Sequence, residues 1–157
     1  MSGTGPDRLQ IHASCVAFPN GAVLLRGPPG SGKSDLALRL VDGGGRLVAD
    51  DLCEIRRDGG RLMADLPAAV DPVFRGRIEL RGIGFLTLSY AGATPLVLVA
   101  DLRAGAPPAG KQDSETRDAA YLGISLPLVV LDPFRASSAA VLRLLAKVGP
   151  GTIMRVP

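Results

Sequence analysis

Apolar runs along this chain are short, broken about every five to eight residues by glycine, proline or charge, which is the texture of a packed α/β domain. Residues 10–16 alternate toward a strand that carries His12, and Phe18-Pro19-Asn20-Gly21 reads as a turn with the Asn-Gly hairpin signal. His12 is therefore expected on a strand antiparallel to the next one, Ala22-Val23-Leu24-Leu25, which reads as buried. Leu36, Ala37, Leu40 and Val41 then recur at helical spacing, and Gly43-Gly44-Gly45 stops that helix. Arg46-Leu47-Val48-Ala49 is a short strand ending in Asp50 and Asp51. Residues 53–57 and 61–64 flank Asp58-Gly59-Gly60 as a hairpin, and 67–72 form a loop.

Residues 76–88 alternate through Glu79 and Arg81, so an extended chain places both charges on one face, while Gly82 and Gly84 mark a close approach or a bend. Alone, such a pair reads as a surface ion pair of little energetic weight. Residues 95–100 form a buried strand, 102–116 a polar loop, and 124–131 a strand in which Pro127 favours an edge or a bulge. A last amphipathic helix is expected from a cap at Ser137 or Ser138 through Lys147, with Val141, Leu142, Leu144 and Leu145 on its apolar side. No internal repeat appears.

Composition narrows the class. A length of 157 residues with 46% hydrophobic positions favours one domain, taken as residues 10–148 between a tail at 1–9 and a tail at 149–157. No run is long enough to span a bilayer, and the first ten residues lack the apolar core of a secretory signal, so no membrane partner is expected. Cys15 and Cys53 are isolated thiols, which suits a reducing cytoplasm. A net charge of +3 with only 4% aromatic residues argues against a stacking surface for nucleic acid.

The chemistry concentrates in Gly27-Pro28-Pro29-Gly30-Ser31-Gly32-Lys33-Ser34, a complete G-x-x-x-x-G-K-[ST] phosphate loop between a strand and a helix. Glycine lets backbone N–H groups close around phosphate oxygens. The Lys33 ammonium reaches the β- and γ-phosphates, and the Ser34 hydroxyl can ligate Mg2+. A second strand ending in carboxylates, 16 residues after Ser34, suits Asp50 and Asp51 to metal or nucleophile work. A lone His12 reads on its own as a half-buried strand residue. Three functions share these features: a protein kinase, a small-molecule kinase, and a nucleotide-binding sensor that transfers nothing. The small-molecule kinase lacks the Arg-rich lid it would need, and a GTPase lacks its Asn-Lys-x-Asp motif.

His12, the loop at 27–34, Arg46-Leu47-Val48-Ala49-Asp50-Asp51 and Ile78-Glu79-Leu80-Arg81-Gly82-Ile83-Gly84 occur in the order and spacing of one family. Over roughly residues 10–148 the chain resembles the catalytic domain of bacterial HPr kinase/phosphorylase, in its short alphaproteobacterial form. The resemblance implies an α/β fold, a P-loop kinase domain with a mixed sheet like the nucleotide domain of phosphoenolpyruvate carboxykinase. It also implies ATP and Mg2+ as cofactors, an HPr-type phosphocarrier protein as partner, and a homo-oligomer, hexameric in longer members. Carried over by position, Asp50 corresponds to the general base with Asp51 beside it, His12 and Lys33 to active-site residues, and Ser34 and Glu79 to magnesium ligands. The resemblance thins at Gly110-Lys111-Gln112-Asp113-Ser114-Glu115-Thr116-Arg117 and at Leu131-Asp132-Pro133-Phe134-Arg135. Lys111, Arg117 and Arg135, with Arg81, are the candidate cations for the phosphorylated substrate. Kinase activity with weak phosphorolysis is therefore expected.

Overall fold

The structure is a computed structural model that describes residues 7–107 and 118–148. In chain order the elements are β1 (Arg8–Ile11), β2 (Ala13–Phe18), β3 (Gly21–Arg26), α1 (Lys33–Asp42), β4 (Arg46–Ala49), β5 (Cys53–Asp58) and β6 (Arg61–Asp65). A 3-10 turn at Pro72–Phe74 leads to β7 (Arg77–Leu80), β8 (Gly84–Thr87), β9 (Thr94–Leu102), β10 (Asp118–Tyr121), β11 (Ile124–Leu131) and α2 (Ser138–Val148). The main sheet runs β1-β5-β6-β9-β3-β2-β4, with β11 on β9 and β10 outside it, while β7 and β8 form a separate hairpin. β9 lies parallel to β3 and to β11, and the other pairings are antiparallel, so the sheet is mixed.

β9 organises the sheet because its two halves serve different neighbours. Its first residues pair with β6, and from Val99 onward the same edge takes β11. Pro127 lies opposite Asp118 of β10 and just ahead of the β9 ladder, which begins at Leu128, so its missing N–H breaks no bond to β9. β10 has no counterpart among the expected strands; four residues closed by a turn at Leu122 and Gly123, both at positive φ, leave too short a pattern to read.

The two faces of the central strands are both covered, by different means. Val16, Val23, Leu25, Leu98 and Ala100 pack under α1 and α2 with Leu36, Leu40, Leu142 and Leu145. The opposite face mixes small side chains, Cys15, Ala17, Ala22 and Ala49, with Leu24, Leu96 and Val99, and Ile55 and Leu62 of the β5–β6 hairpin pack on it. Small residues let the sheet curl onto itself with no helix between.

Several expectations change here. The single strand expected over residues 10–16 is two strands broken at His12, and β1 starts at Arg8, inside the stretch taken as a tail. β1 is a half-exposed edge strand whereas β2 is buried on both faces, and the alternation across 10–16 mixes the two patterns. α2 buries Leu142, Leu145 and Ala146; Leu144 is exposed, one step off the stripe. Ser138 is the first helical residue, and its hydroxyl donates to the Asp132 carbonyl instead of capping the helix.

Candidate active site

β3, buried through Leu25, leads into a loop that is exposed at Pro28, Pro29 and Gly30. The Ser31 amide donates to the Pro28 carbonyl at 3.0 Å, and Gly30 and Gly32 take φ of 79° and 94°. At Gly32 the left-handed backbone and the crowding act together, since a Cβ there would meet the Phe134 ring at 3.2 Å. No side chain caps α1 at Gly32, which leaves the first amides of the helix open to an anion. Lys33 is buried, and its ammonium donates to the Gly27 carbonyl at 2.7 Å and the Pro28 carbonyl at 3.1 Å. The buried Ser31 hydroxyl has no hydrogen-bond partner among the described residues. An orphaned donor beside uncapped helix amides fits a phosphate chain. The loop walls one side of a cleft of about 650 Å³, closed on the other side by Asp101, Arg103 and Phe134.

α1 and the turn after β11 hold this cleft in shape. Arg39 on α1 donates to the carbonyls of Pro133 and Arg135. The Phe134 amide, at 2.9 Å, holds the Asp132 carboxyl below its ordinary value, helped by the Gly105 amide and the charge of Arg135.

Asp50 sits where the phosphate loop meets β4. The Ser34 hydroxyl donates to its Oδ1 at 2.8 Å, and the Ser14 hydroxyl donates to the same oxygen at 2.7 Å. Ser14 Oγ in turn accepts the Asp51 amide at 3.2 Å, with Asp51 in the left-handed region at φ 68°. A non-glycine residue held there costs on the order of 1 kcal/mol, which the surrounding bonds offset. Ser14 was not among the sequence candidates. Its signal was present, as the one hydroxyl in the otherwise apolar run Ala13-Ser14-Cys15-Val16-Ala17.

The β7–β8 hairpin is tied to β4 by the chain that follows it. Leu47 donates to the Ser89 carbonyl at 2.8 Å and accepts from Ala91 at 3.0 Å, and Leu88 donates to Gly76 at 2.8 Å. This attachment sets Glu79 across from Asp50 and Asp51 in a second cleft of about 420 Å³, lined also by Arg77, Phe74 and Phe85. Arg81 does not share the face of Glu79. β7 ends at Leu80, and Arg81 lies in the turn that Gly82, at φ 77°, closes. The charge two residues from Glu79 on the same strand face is Arg77, with Phe85 directly opposite Glu79 on β8.

The remaining candidates fall elsewhere. His12 occupies an exposed bend two residues before Ser14, lines neither cleft, and makes no hydrogen bond to Asp50. Arg135 turns toward the Ala106 carbonyl at 3.2 Å. Lys111 and Arg117 lie outside the described residues. Arg26, immediately before the loop, is paired with Asp101 and donates to the Tyr121 hydroxyl at 2.8 Å; the apolar run ending in Asp101 is the sequence signal for that anchor. Among the described residues no three His, Cys, Asp or Glu side chains are grouped closely enough to hold a metal by themselves. Ser34, bonded to Asp50, and Glu79 across the cleft do supply oxygen donors, the type Mg2+ takes while it keeps water and phosphate for its other positions. No helix among the described residues is long and apolar enough to cross a membrane.

The sequence matches the family model of the HPr Serine kinase C-terminal domain over residues 6–93. HPr kinase/phosphorylase of Bacillus subtilis is 41% identical over 87 residues, covering 53% of this chain and 27% of the relative. HPr kinase/phosphorylase of Caldanaerobacter subterraneus is 45% identical over 80 residues, 50% of this chain and 25% of the relative. That of a strain of Exiguobacterium is 42% identical over 86 residues, again 53% and 27%. The matched segment thus spans about a quarter of the length of these curated relatives. Among solved structures, the Hpr(Ser) kinase/phosphatase from Coxiella burnetii shares the fold, with a TM-score of 0.73 and 23% identity over 88% of this chain and 94% of that one. The match to the family model takes in the phosphate loop, Asp50, Asp51 and Glu79 and stops before β9, so both divergent stretches, 110–117 and 131–135, lie beyond it.

Proposed function

This chain belongs to the HPr Serine kinase C-terminal domain family, and from that premise we propose that it transfers the γ-phosphoryl group of ATP to a seryl hydroxyl of an HPr-type phosphocarrier protein. The observation that carries this reading is the 2.8 Å hydrogen bond from Ser34 to Asp50, which joins the end of the phosphate loop to the carboxylate that directly follows β4. A γ-phosphate cradled by the loop amides and Lys33 then lies beside a group able to accept a proton. In the transfer, the bond from the γ-phosphorus to the bridging oxygen breaks as the seryl oxygen bonds to phosphorus, and the hydroxyl proton passes to Asp50. Serine is a weak nucleophile, so a carboxylate within hydrogen-bond reach assists as attack proceeds. Most of the acceleration comes from positioning and from charge placed around the phosphates.

Ser34, with Glu79 across the cleft, would hold Mg2+, which when bound would neutralise charge on the phosphates, and this leaves the Asp50 carboxylate to act as the base. Asp51 shapes the same wall. His12, at the bend leading to Ser14, acts through the placement of that strand. The family reading also carries a cytoplasmic location, a homo-oligomeric assembly that is hexameric in longer members, and weak phosphorolysis. The test incubates the purified chain with γ-labelled ATP and HPr from the same cell. Label on a seryl side chain of HPr supports the reading, and label on small metabolites or tight nucleotide binding without turnover overturns it.

A further inference from the structure

Arg77 stands out among the cations near the carboxylate cleft because its hydrogen-bonding capacity is unspent. Neighbouring arginines are engaged: Arg75 donates to Asp65 at 2.9 Å and Arg56 lies 3.8 Å from the same carboxylate. Arg77 makes no ion pair among the described residues. Its guanidinium is instead flanked by two rings, 5.1 Å from the centre of Phe74 and 4.5 Å from the centre of Phe85. Both rings are open to solvent, Phe74 at 42% and Phe85 at 60% exposed, so the guanidinium they flank is accessible. Stacking on rings orients a guanidinium while leaving its N–H edge free for paired contacts to an oxyanion.

The cleft that Arg77 lines also presents Asp50, Asp51 and Glu79. A phosphoryl group entering it meets like charge from three carboxylates, and Lys33 is folded against the loop carbonyls of the other cleft. We propose that Arg77 grips the phosphoryl group borne by the acceptor serine. The proposal rests on the kinase reading for the identity of that acceptor, and the recognised chemistry is a seryl phosphomonoester. Arg77 is thus a substrate-contacting residue on the acceptor side, as Lys33 is on the nucleotide side. Its alternation with Ile78 and Glu79 places it on the working face of β7, a face on which Arg81 does not lie.

The experiment fills the phosphate loop with saturating Mg2+ and ADP and follows binding of O-phosphoserine to the full chain by phosphorus NMR. Wild type is expected to bind it, and R77Q to bind it at least about tenfold more weakly, the loss of one charge-assisted paired contact. R77K, which keeps the charge and loses the fork, is expected to recover only part. ADP affinity should be equal in all three proteins. Absence of O-phosphoserine binding to wild type, equal binding by R77Q and wild type, or a parallel loss of ADP and O-phosphoserine would each overturn the proposal. Failure of labelled ATP to mark HPr, alongside a selective loss in R77Q, removes the named acceptor protein and leaves the role of Arg77 standing.

Discussion

Asp50 Oδ1 receives two hydroxyls, and the two donors have different duties. Ser34 belongs to the phosphate loop, whereas Ser14, fully buried, also takes up the Asp51 amide and so fixes the turn that aims both carboxylates. Ser14→Ala leaves the Asp51 amide without that acceptor and Asp50 with one donor. The expected result is a stability loss of roughly 1–2 kcal/mol in urea unfolding, with a lower kcat and an unchanged KM for the nucleotide. Equal effects on kcat and nucleotide KM would show that Ser14 supports the loop as a whole. Glu79→Gln is expected to raise the Mg2+ concentration needed for half-maximal activity, since an amide brings no charge to the ion; an unchanged Mg2+ dependence returns Glu79 to a surface role. At this scale the sequence carried Lys33, Ser34 and Asp50 through a spaced motif, because a phosphate loop fixes its chemistry locally. Ser14 and Arg77 escaped for the opposite reason: Ser14 gains its meaning from Asp50, 36 residues away, and Arg77 from the hairpin that brings Phe85 beside Phe74.

Between the elements, the placement of the site depends on α1 and α2 bracing one face of the sheet and on the 88–91 segment tying the β7–β8 hairpin to β4. Leu142 of α2 is fully buried in that face, so Leu142→Ala is expected to cost about 2–5 kcal/mol of unfolding free energy, measured by denaturant titration. A change under about 1 kcal/mol would mean the helix repacks freely. Gly32→Ala would place a methyl 3.2 Å from the Phe134 ring at a positive φ, and weaker nucleotide binding together with a stability loss on the order of 1 kcal/mol or more is expected, read by titration and unfolding in parallel. The long elements were legible because burial on one stripe or on two faces leaves a clear period: α1, β3 and β9 follow theirs closely. The break at His12 was not: it is a change of partner strand, from β5 to β3 and β4, and pairing partners leave no local period in a sequence. The turn after Leu80 did have its signal in Gly82 and Gly84, although Arg81 was expected on the strand before it.

As a whole, the molecule encloses its two thiols and divides its working surface into a phosphate-loop cleft and a carboxylate cleft, with the Ser34–Asp50 bond linking the end of the loop to the wall of the second. Burial pushes the Cys15 thiol well above its ordinary range, and the thiolate is the reactive form. Iodoacetamide at pH 8 should therefore label Cys15 far more slowly in the folded chain than in denaturant, as read by mass spectrometry; comparable rates would mean that β2 opens readily. The mixed sheet was implied by the family resemblance and not by the residue pattern, and its curl was legible in neither, since pairing across β2, β3 and β4 brings together side chains that look unremarkable one at a time. The most direct test of the joined clefts compares wild type with Asp50→Asn, measuring nucleotide affinity by titration and, separately, the rate at which γ-label reaches a seryl group of HPr. Nucleotide affinity should stay within about twofold while transfer falls by at least about a hundredfold, the share a positioned base contributes. Transfer at the wild-type rate, or affinity and transfer lost together, would contradict the assignment of Asp50 as the base.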